Sequence, residues 1–258
     1  MSLKVFMLAS GSGGNSILVQ SGRTSLLIDA GLSGSEIIRR LESCGCLPER
    51  VKAILVTHEH SDHIKGVGIL ARKYRIPVYL TEATYQASVD IIKEIPRRLR
   101  FFPNRPFPIG DIVAEAFPLS HDAVDPVGFI LNCRGHKLGI ATDLGFATEL
   151  VKQKLKGCQT LVIESNHDPE MLKTGPYPWY VKQRVRGRQG HLSNHDALEL
   201  LKELVHDGLQ DLVLAHISET NNHYQLVEKN ISALLETLQE IPVNLTIAKQ
   251  GLPVMVGG

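Results

Sequence analysis

The sequence predicts an α/β protein in which two β-sheets pack face to face and helices cover the outer faces. Strand-like and helical segments alternate along most of the 258 residues, without a repeat, a low-complexity stretch or a long Pro/Gly linker between them. Metal-binding side chains follow several predicted strands, which is where an α/β architecture gathers its loops. We therefore expect a single domain covering residues 1–258.

The first elements are strand, hairpin turn, strand, strand, helix and strand. Strands are predicted at 4–9, 17–20, 24–28 and 53–56. The glycine-rich turn at 11–14 leads into a strand, so it predicts a hairpin and not a phosphate-binding loop. Ser33 and Glu36 form a capping-box pattern, and Gly45 can end the helix that they begin.

The remainder of the chain alternates between helices and strands. Helices are predicted at 64–74, 82–95, 147–155, 194–206 and 224–238. Strands are predicted at 78–80, 112–117, 127–132, 137–142, 160–163, 212–215 and 245–248. The basic run at 97–100 is interpreted as a solvated face.

The composition is that of a globular protein without a membrane segment. Hydrophobic residues make up 43% of the chain and the formal net charge is +1. No apolar run reaches the roughly 18–20 residues of a membrane helix, and the start is too short for a signal peptide. The small net charge excludes a global basic field, so a nucleic acid would have to bind a local patch. Four scattered cysteines favour reduced thiols and a cytoplasmic location.

The segment that points to chemistry is Thr57-His58-Glu59-His60-Ser61-Asp62-His63. It follows a short apolar strand and therefore lies on a loop at the end of that strand. Side chains two residues apart in an extended loop point the same way, so His58 and His60 can share a metal ion. Asp62 and His63 follow where the chain bends into a helix and can face a second ion. Four such groups within six residues predict a metal site and not a solvated loop.

Three further candidate ligands stand at the ends of predicted strands. His121 follows strand 112–117, Asp143 follows strand 137–142, and His216 follows strand 212–215. Each would be an ordinary polar residue alone, but with the histidine loop they make a full set. Imidazole and carboxylate donors suit Zn²⁺ or Mn²⁺. We therefore expect two divalent metal ions, Zn or Mn, per chain.

The His-x-His-x-Asp-His motif, with Asp29 before it and the three strand-end residues after it, resembles the five ordered motifs of the metallo-β-lactamase superfamily. The resemblance spans residues 29–216 and implies a four-layer αββα sandwich with two mixed sheets. The implied metal sites are one ion on His58, His60 and His121, a second on Asp62, His63 and His216, and Asp143 bridging both. Asp29 would steady the histidine loop without binding metal. β-Lactamases carry Cys at the position of Asp143, which argues against a β-lactam substrate.

The superfamily contains thioesterases and nucleases alike, so the fold does not name the substrate. The segment 190–194 resembles the His-Ser-Thr segment of ribonuclease Z, whose histidine contacts the scissile phosphate or donates a proton. The resemblance implies that His191 acts in catalysis with Asp62. It also implies substrate contacts at Ser193 and Asn194, because a helix N-terminus suits an anion. A purely structural His191 is the alternative.

Immediately upstream, residues 175–188 contain four basic and three aromatic side chains. Basic groups meet phosphates and aromatic rings stack on bases, so Arg184 and Arg186 are predicted to contact a nucleic acid. The alternative is an amphipathic surface helix whose aromatic side chains belong to the core. His167 is a further candidate for contact with the substrate or for support of the metal ligands.

The segments 9–16, 120–123, 164–168, 191–194 and 215–218 resemble the bacterial YycJ-like (WalJ-type) subgroup. That subgroup is similar to ribonucleases Z and J in its core and is linked to 5′→3′ DNA exonuclease activity. Asp143 and His216 are 73 residues apart, which leaves no room for the β-CASP insertion of ribonuclease J. We therefore expect a dinuclear phosphodiester hydrolase, a 5′→3′ exonuclease acting on DNA ends.

Three alternatives to the nuclease stay open. They are a glyoxalase II-like esterase or thioesterase, a small-molecule phosphodiesterase, and a non-enzymatic protein that keeps metal for folding. The oligomeric state is open as well, with a dimer as one option.

Overall fold

The computed structural model describes residues 3–237 and 242–256. The strands are β1 (Lys4–Ala9), β2 (Ser16–Gln20), β3 (Ser25–Ile28), β4 (Val51–Leu55), β5 (Val78–Leu80), β6 (Arg98–Arg100), β7 (Phe107–Ile109), β8 (Ile112–Pro118), β9 (Val127–Cys133), β10 (His136–Ala141), β11 (Thr160–Glu164), β12 (Asp211–Ala215), β13 (Asn244–Ile247) and β14 (Val254–Val256). The helices are α1 (Gly34–Ser43), α2 (Ser61–Ile64), α3 (Val67–Tyr74), α4 (Glu82–Ile92), α5 (Glu149–Leu155), α6 (Pro169–Thr174), α7 (Trp179–Val185), α8 (Asn194–Leu204) and α9 (Tyr224–Thr237).

The strands form two mixed sheets of seven strands each. The first sheet has the order β14-β1-β2-β3-β4-β5-β6, and the second has the order β13-β12-β11-β10-β9-β8-β7. In the first sheet the pairs from β14 to β3 are antiparallel and the pairs from β3 to β6 are parallel. In the second sheet the pairs from β7 to β10 are antiparallel and those from β10 to β13 are parallel. The two sheets therefore repeat one pairing pattern.

Three apolar cores separate four layers. The central core lies between the sheets and includes Leu26 of the first sheet and Phe129 of the second. One outer core packs α1, α3 and α4 against the first sheet, with Ile37 fully buried in it. The other packs α5, α8 and α9 against the second sheet, with Leu201 fully buried in it. This arrangement confirms the predicted αββα sandwich of two mixed sheets.

Several elements differ from their predicted form. The predicted helix 64–74 is two helices, α2 and α3, and the chain between them passes Gly66. A Cβ on Gly66 would lie only 2.6 Å from the carbonyl oxygen of Leu32. The basic run 97–100, interpreted as a solvated face, contains edge strand β6, and exposed cations are a common device at sheet edges. The predicted helix end at Leu238 lies outside the described residues.

Helix α1 begins as the sequence predicts, because the Ser33 side chain accepts a hydrogen bond from the Glu36 backbone N–H. The Glu36 carboxylate, however, binds Arg39 and Arg40 and so leaves the capping box half formed. These two cations lower the pKa of Glu36 to about 2. Buried Arg40 also donates to the Leu8 carbonyl oxygen at 2.6 Å, which ties α1 to β1.

The four cysteines are free thiols, in agreement with the expectation from the sequence. Burial raises the pKa of Cys158 to about 11, so this thiol stays protonated at neutral pH. In the part of the chain that the structure describes, no helix has both the length and the apolar character needed to cross a bilayer.

Candidate metal centre

The predicted ligands meet at one edge of the sandwich, where strand ends of both sheets converge. The first sheet supplies Asp29 after β3 and the segment 58–63 after β4; the second supplies His121 beyond β8, Asp143 beyond β10 and His216 directly after β12. Three of these residues have a left-handed backbone, with φ of 58° at Asp29, 61° at Asp143 and 55° at His216. Asp and His adopt this conformation more readily than bulky or β-branched residues.

The first group consists of His58, His60 and His121, whose ring nitrogens lie within 4.8 Å of one another. The Nδ1 atom of His121 lies 3.0 Å from the carbonyl oxygen of Gly190. Because a carbonyl only accepts, Nδ1 carries the proton and Nε2 presents a lone pair to the group. The Nδ1 atom of His60 faces this Nε2 at 3.3 Å, so the two nitrogens share one position where a cation would fit.

The tautomer of His58 follows from the hydroxyl group beside it. Thr57 donates its one hydroxyl proton to Asp29 at 2.7 Å. The same oxygen lies 3.0 Å from Nδ1 of His58 and can therefore only accept there. The lone pair of His58 is consequently on Nε2.

The second group consists of Asp62, His63 and His216, again with one ligand atom each within 4.8 Å. The Nδ1 atom of His63 donates to Asp29 at 2.7 Å, and that of His216 donates to Glu164 at 2.7 Å. Carboxylates accept these protons, so both Nε2 atoms keep their lone pairs for the centre. This is the support that metal-binding histidines usually have.

Asp143 lies between the two groups and is almost fully buried. Its Oδ2 atom is 3.4 Å from Nε2 of His63, and its Oδ1 atom is 4.0 Å from Nε2 of His121. It therefore contacts a member of each group, which is the location that the superfamily resemblance implies for a bridging carboxylate.

The donor atoms of this cluster fit divalent cations. Among the residues that the structure describes, His58 Nε2, Asp143 Oδ2 and His216 Nε2 are buried without a hydrogen-bond partner. Buried polar atoms are nearly always paired, so three that converge on one space indicate a missing charged partner. Imidazole nitrogen and carboxylate oxygen are ligands of Zn²⁺ and Mn²⁺.

The charges of the cluster also favour a cation at its centre. Burial opposes protonation of His216, but Asp143 and Glu164 outweigh it and raise the pKa of His216 to about 10. Burial likewise opposes protonation of His63, and Asp143 with Asp29 raises its pKa well above the ordinary value. Despite burial, the pKa of Asp143 is held well below its usual range by His216 and His63.

Glu164 is a site residue that the sequence did not single out. Its fully buried carboxylate accepts from Nδ1 of His191 at 2.8 Å and from Nδ1 of His216 at 2.7 Å. It also accepts from the backbone N–H groups of Leu144 and Leu192. Glu164 thus joins the predicted acid to a metal-binding histidine. It is the last residue of β11, so the strand-end rule that found the other candidates could have found it.

Asn15 was also missed, and it orients Asp62. Its side-chain amide donates to Oδ2 of Asp62 at 3.2 Å, and its backbone N–H donates to the Asp62 carbonyl oxygen at 2.7 Å. The Asn15 side-chain oxygen accepts from the Gly11 N–H, so the glycine-rich hairpin positions this amide.

A cavity of about 260 Å³ opens onto the cluster. It is lined by Ser12, His60, Asp62, Asp143, Asn166, Tyr177, Val181, Arg184, Val185, His191, His216 and Ser218. Arg184 enters it from α7 and forms an ion pair with Asp122, which follows His121 in the chain. The cavity therefore has metal ligands on one wall and a guanidinium group on another, an arrangement suited to an anionic substrate.

The remaining predicted substrate contacts lie elsewhere. His167, Ser193 and Asn194 are buried and outside the cavity lining, so the structure does not support contact with a substrate there. Ser193 caps α8, and Asn194 accepts from Ser165 and donates to Asn222. Arg186 lies on the surface of α7, outside the cavity, with its guanidinium 5.1 Å from the ring centre of Trp179.

The interpretation of residues 175–188 as a helix with aromatic side chains in the core is wrong. Helix α7 does form, but it has no buried residue. Its Trp179 and Tyr180 side chains are exposed to solvent.

These features are those of a candidate metal-binding site of the metallo-β-lactamase type. The chain belongs to the family described as "Beta-lactamase superfamily domain", and the family model matches residues 24–217. Exodeoxyribonuclease YycJ of Bacillus anthracis is 41% identical over 238 residues, 92% of this chain and 90% of that protein. Exodeoxyribonuclease WalJ of Streptococcus pneumoniae is 39% identical over 227 residues, 86% of this chain and 84% of that protein.

Solved structures show the same fold. The metallo-β-lactamase fold protein YhfI from Bacillus subtilis superposes with a TM-score of 0.75 at 18% sequence identity, over 98% of this chain and all of that chain (100%). The subgroup resemblance drawn from the sequence is therefore confirmed by the relatives, and the predicted fold by the structures.

Proposed function

We propose that this protein is a cytoplasmic, metal-dependent exodeoxyribonuclease that hydrolyses phosphodiester bonds at DNA ends in the 5′→3′ direction, with two Zn or Mn ions. The observation that carries the proposal is the position of His191, an imidazole on the wall of the cavity that opens onto the metal cluster. Its ring also lies within reach of Asp143, Glu164 and His216, and we assign it to the substrate and not to a metal ion. The exodeoxyribonuclease relatives, which match nearly the whole chain, support the same substrate class.

The chain contributes ligands, orientation and a proton donor. One ion would be held by His58, His60 and His121, the other by Asp62, His63 and His216, with Asp143 between them. Bound cations would supply Lewis-acid chemistry: an activated water and positive charge opposite the phosphate oxygens. Asp62 lines the cavity and is held by Asn15, so its carboxylate can orient the attacking water.

His191 is suited to protonate the leaving oxygen. Its Nδ1 atom is hydrogen-bonded to the Glu164 carboxylate, so Nε2 is the atom left to carry a transferable proton. Positioned acid–base groups of this kind contribute about 10²–10⁴-fold to rate.

The Arg184 guanidinium provides a cation for a phosphodiester on a different wall of the cavity from the metal ligands. It is more than half exposed and paired with Asp122, so it can exchange this carboxylate for a phosphate oxygen. A thioester substrate has no anionic oxygen at the reacting carbonyl and would not use this interaction.

An activity panel tests the proposal. The protein, loaded with Mn²⁺ or Zn²⁺, would be assayed on 5′-phosphorylated DNA, RNA of the same sequence, bis-p-nitrophenyl phosphate and a thioester. We expect mononucleotides released from the 5′ end of DNA. Turnover of the thioester with none of the phosphodiesters would replace this proposal with the esterase alternative, and no turnover with either metal would favour the non-enzymatic alternative.

A further inference from the structure

The chain segment that borders the cavity is basic. From Met171 to His195 there are five basic and no acidic residues. Since the whole chain has a formal charge of +1, the remainder carries −4. Helix α7 lies in the middle of this segment and borders the cavity through Val181, Arg184 and Val185. A polyanion attracted to this protein would therefore be drawn to α7.

Helix α7 also presents two large aromatic side chains to solvent. Trp179 is 67% exposed and Tyr180 is 74% exposed. Aromatic side chains of this size normally supply buried area to a core or an interface, so exposing both next to a substrate cavity indicates a binding role.

The fold fixes where these rings stand. Tyr180 precedes Arg184 by four residues, so both lie on one face of the helix. Arg184 lines the cavity at the metal centre and also a second cavity of about 550 Å³ on its other side. The Ser120 hydroxyl donates to the Arg188 carbonyl oxygen at 2.8 Å, which anchors the C-terminal end of α7 to the loop that carries His121.

We propose that Trp179 and Tyr180 form a stacking platform for unpaired bases of a single-stranded DNA end, while the neighbouring cations of α7 neutralise its phosphates. The inference rests on the proposed function and adds a preference to it. Bases in a duplex are stacked on each other, and only unpaired bases offer a free face to an aromatic ring. The enzyme would therefore act on unpaired 5′ ends in preference to blunt duplex ends.

Fluorescence provides a direct test because Trp179 is the only tryptophan in the chain. The metal-loaded protein would be titrated with a 5′-phosphorylated oligothymidylate that has phosphorothioate linkages, which slow its cleavage. Stacking of a base on the indole quenches its emission, so we expect quenching with the oligothymidylate and little with a blunt duplex of equal charge. No quenching, or equal quenching by both, overturns the platform.

Kinetics provide the second test. The double variant Trp179→Ala/Tyr180→Ala should lose kcat/KM on single-stranded DNA at least about tenfold more than on bis-p-nitrophenyl phosphate, which has no neighbouring base. Phe102→Ala is the matched control. Phe102 is 47% exposed and has the Arg100 guanidinium 4.5 Å from its ring centre, but it follows β6 and does not belong to α7. An equal loss for the control and the double variant contradicts the platform.

The two proposals fail separately. If the oligothymidylate quenches Trp179 but no phosphodiester is hydrolysed, the proposed nuclease function is wrong and the binding site stands. The opposite outcome is that DNA is hydrolysed, but each protein, wild type or double variant, turns over single-stranded ends and blunt ends at the same rate. In that case the nuclease function stands and the platform is wrong.

Discussion

The histidines of the metal centre owe their geometry to groups that can only accept hydrogen bonds. Asp29 accepts a hydrogen bond from Nδ1 of His63, and Glu164 accepts one from Nδ1 of His216. The Gly190 carbonyl oxygen accepts one from Nδ1 of His121. His191 makes the same hydrogen bond to Glu164, and we propose that it acts as a proton donor and not as a metal ligand. Under this proposal, chemically identical side chains have different roles according to what their Nε2 atoms face.

Replacement of His191 tests this separation. His191→Ala should keep both metal ions and lose about 10²–10⁴-fold in kcat on DNA, because a positioned acid is removed. The loss should shrink for bis-p-nitrophenyl phosphate, whose leaving group needs little protonation. His195→Ala, at an exposed position on α8, serves as the control and should change neither rate. An unchanged rate on DNA for His191→Ala would remove the main support for the nuclease proposal.

Replacement of Asp143 tests the predicted bridge. The wild-type protein should contain two metal equivalents per chain, since seven candidate ligands exceed the four of a tetrahedral site. Asp143→Ala should lower occupancy at both sites, because its carboxylate contacts both groups. Elemental analysis after metal loading and gel filtration measures this. A variant that retained one full equivalent would show that Asp143 serves a single ion.

Some residues of the candidate site could be predicted from the sequence, and others could not. Metal ligands could be predicted because strand ends and a dense motif place them. Ser193 and Asn194 were predicted as substrate contacts because a helix N-terminus attracts anions. Ser193 instead caps α8 and hydrogen-bonds Asp196, and Asn194 is hydrogen-bonded to Ser165, which is distant in sequence. Glu164 and Asn15 hydrogen-bond partners that are distant in sequence, so their roles leave no local pattern, although the position of Glu164 at a strand end was a usable signal.

At the level of elements, a buried side chain ties helix α1 to strand β1. Arg40 pairs with Glu36 within α1 and donates a hydrogen bond to the Leu8 carbonyl oxygen of β1. The longer helices and strands were predicted because their periodicity extends over several turns or pleats. Strands β5, β6, β7 and β14 have three residues each, too few to show a period. Of these, only β5, the apolar segment Val-Tyr-Leu, was predicted, and pairing with their neighbours defines the other three.

The Glu36 interaction predicts a pH dependence of stability. Its pKa is about 2 in the folded protein, below the unfolded value of about 4.3. The interaction therefore contributes fully above about pH 4.3, and this contribution is lost as the pH falls toward 2. Glu36→Gln should be destabilised by up to about 1 kcal/mol at pH 7, since the carboxylate is partly exposed, and less at pH 3.5.

Urea unfolding of Glu36→Gln and the wild type at both pH values measures this difference. Glu42→Gln, an exposed change on the same helix, is the control. A gap between the wild type and Glu36→Gln that stayed constant with pH would mean that the neutral side chain, and not its charge, matters.

On the scale of the whole molecule, the metal centre joins the two sheets. Each group of candidate ligands takes two residues from segment 58–63, which follows β4 of the first sheet and runs into α2, and one residue from beyond a strand of the second sheet. Ions that bind only the folded state add about 2.7 kcal/mol at a hundredfold excess over Kd. For a chain of this size, about 1 kcal/mol corresponds to roughly 2–4 °C in Tm.

Metal removal should therefore lower Tm by roughly 5–10 °C for each site at that saturation. Scanning calorimetry before and after chelation, and again after Zn²⁺ or Mn²⁺ is restored, measures the change. Asp143→Ala should show a smaller response, because it binds less metal. Identical transitions with and without chelator would mean that the ions contribute nothing to holding the sheets together.

The order of the strands has a consequence for how the protein could be divided. The chain completes six strands of the first sheet before it enters the second at β7, and it returns only as β14. A cut between β6 and β7 would leave His58, His60, Asp62 and His63 on one fragment and His121, Asp143 and His216 on the other. Neither fragment would hold a complete group, so tight metal retention would report that the two halves had reassembled. The same enzyme would then serve as a split reporter whose signal is a bound ion.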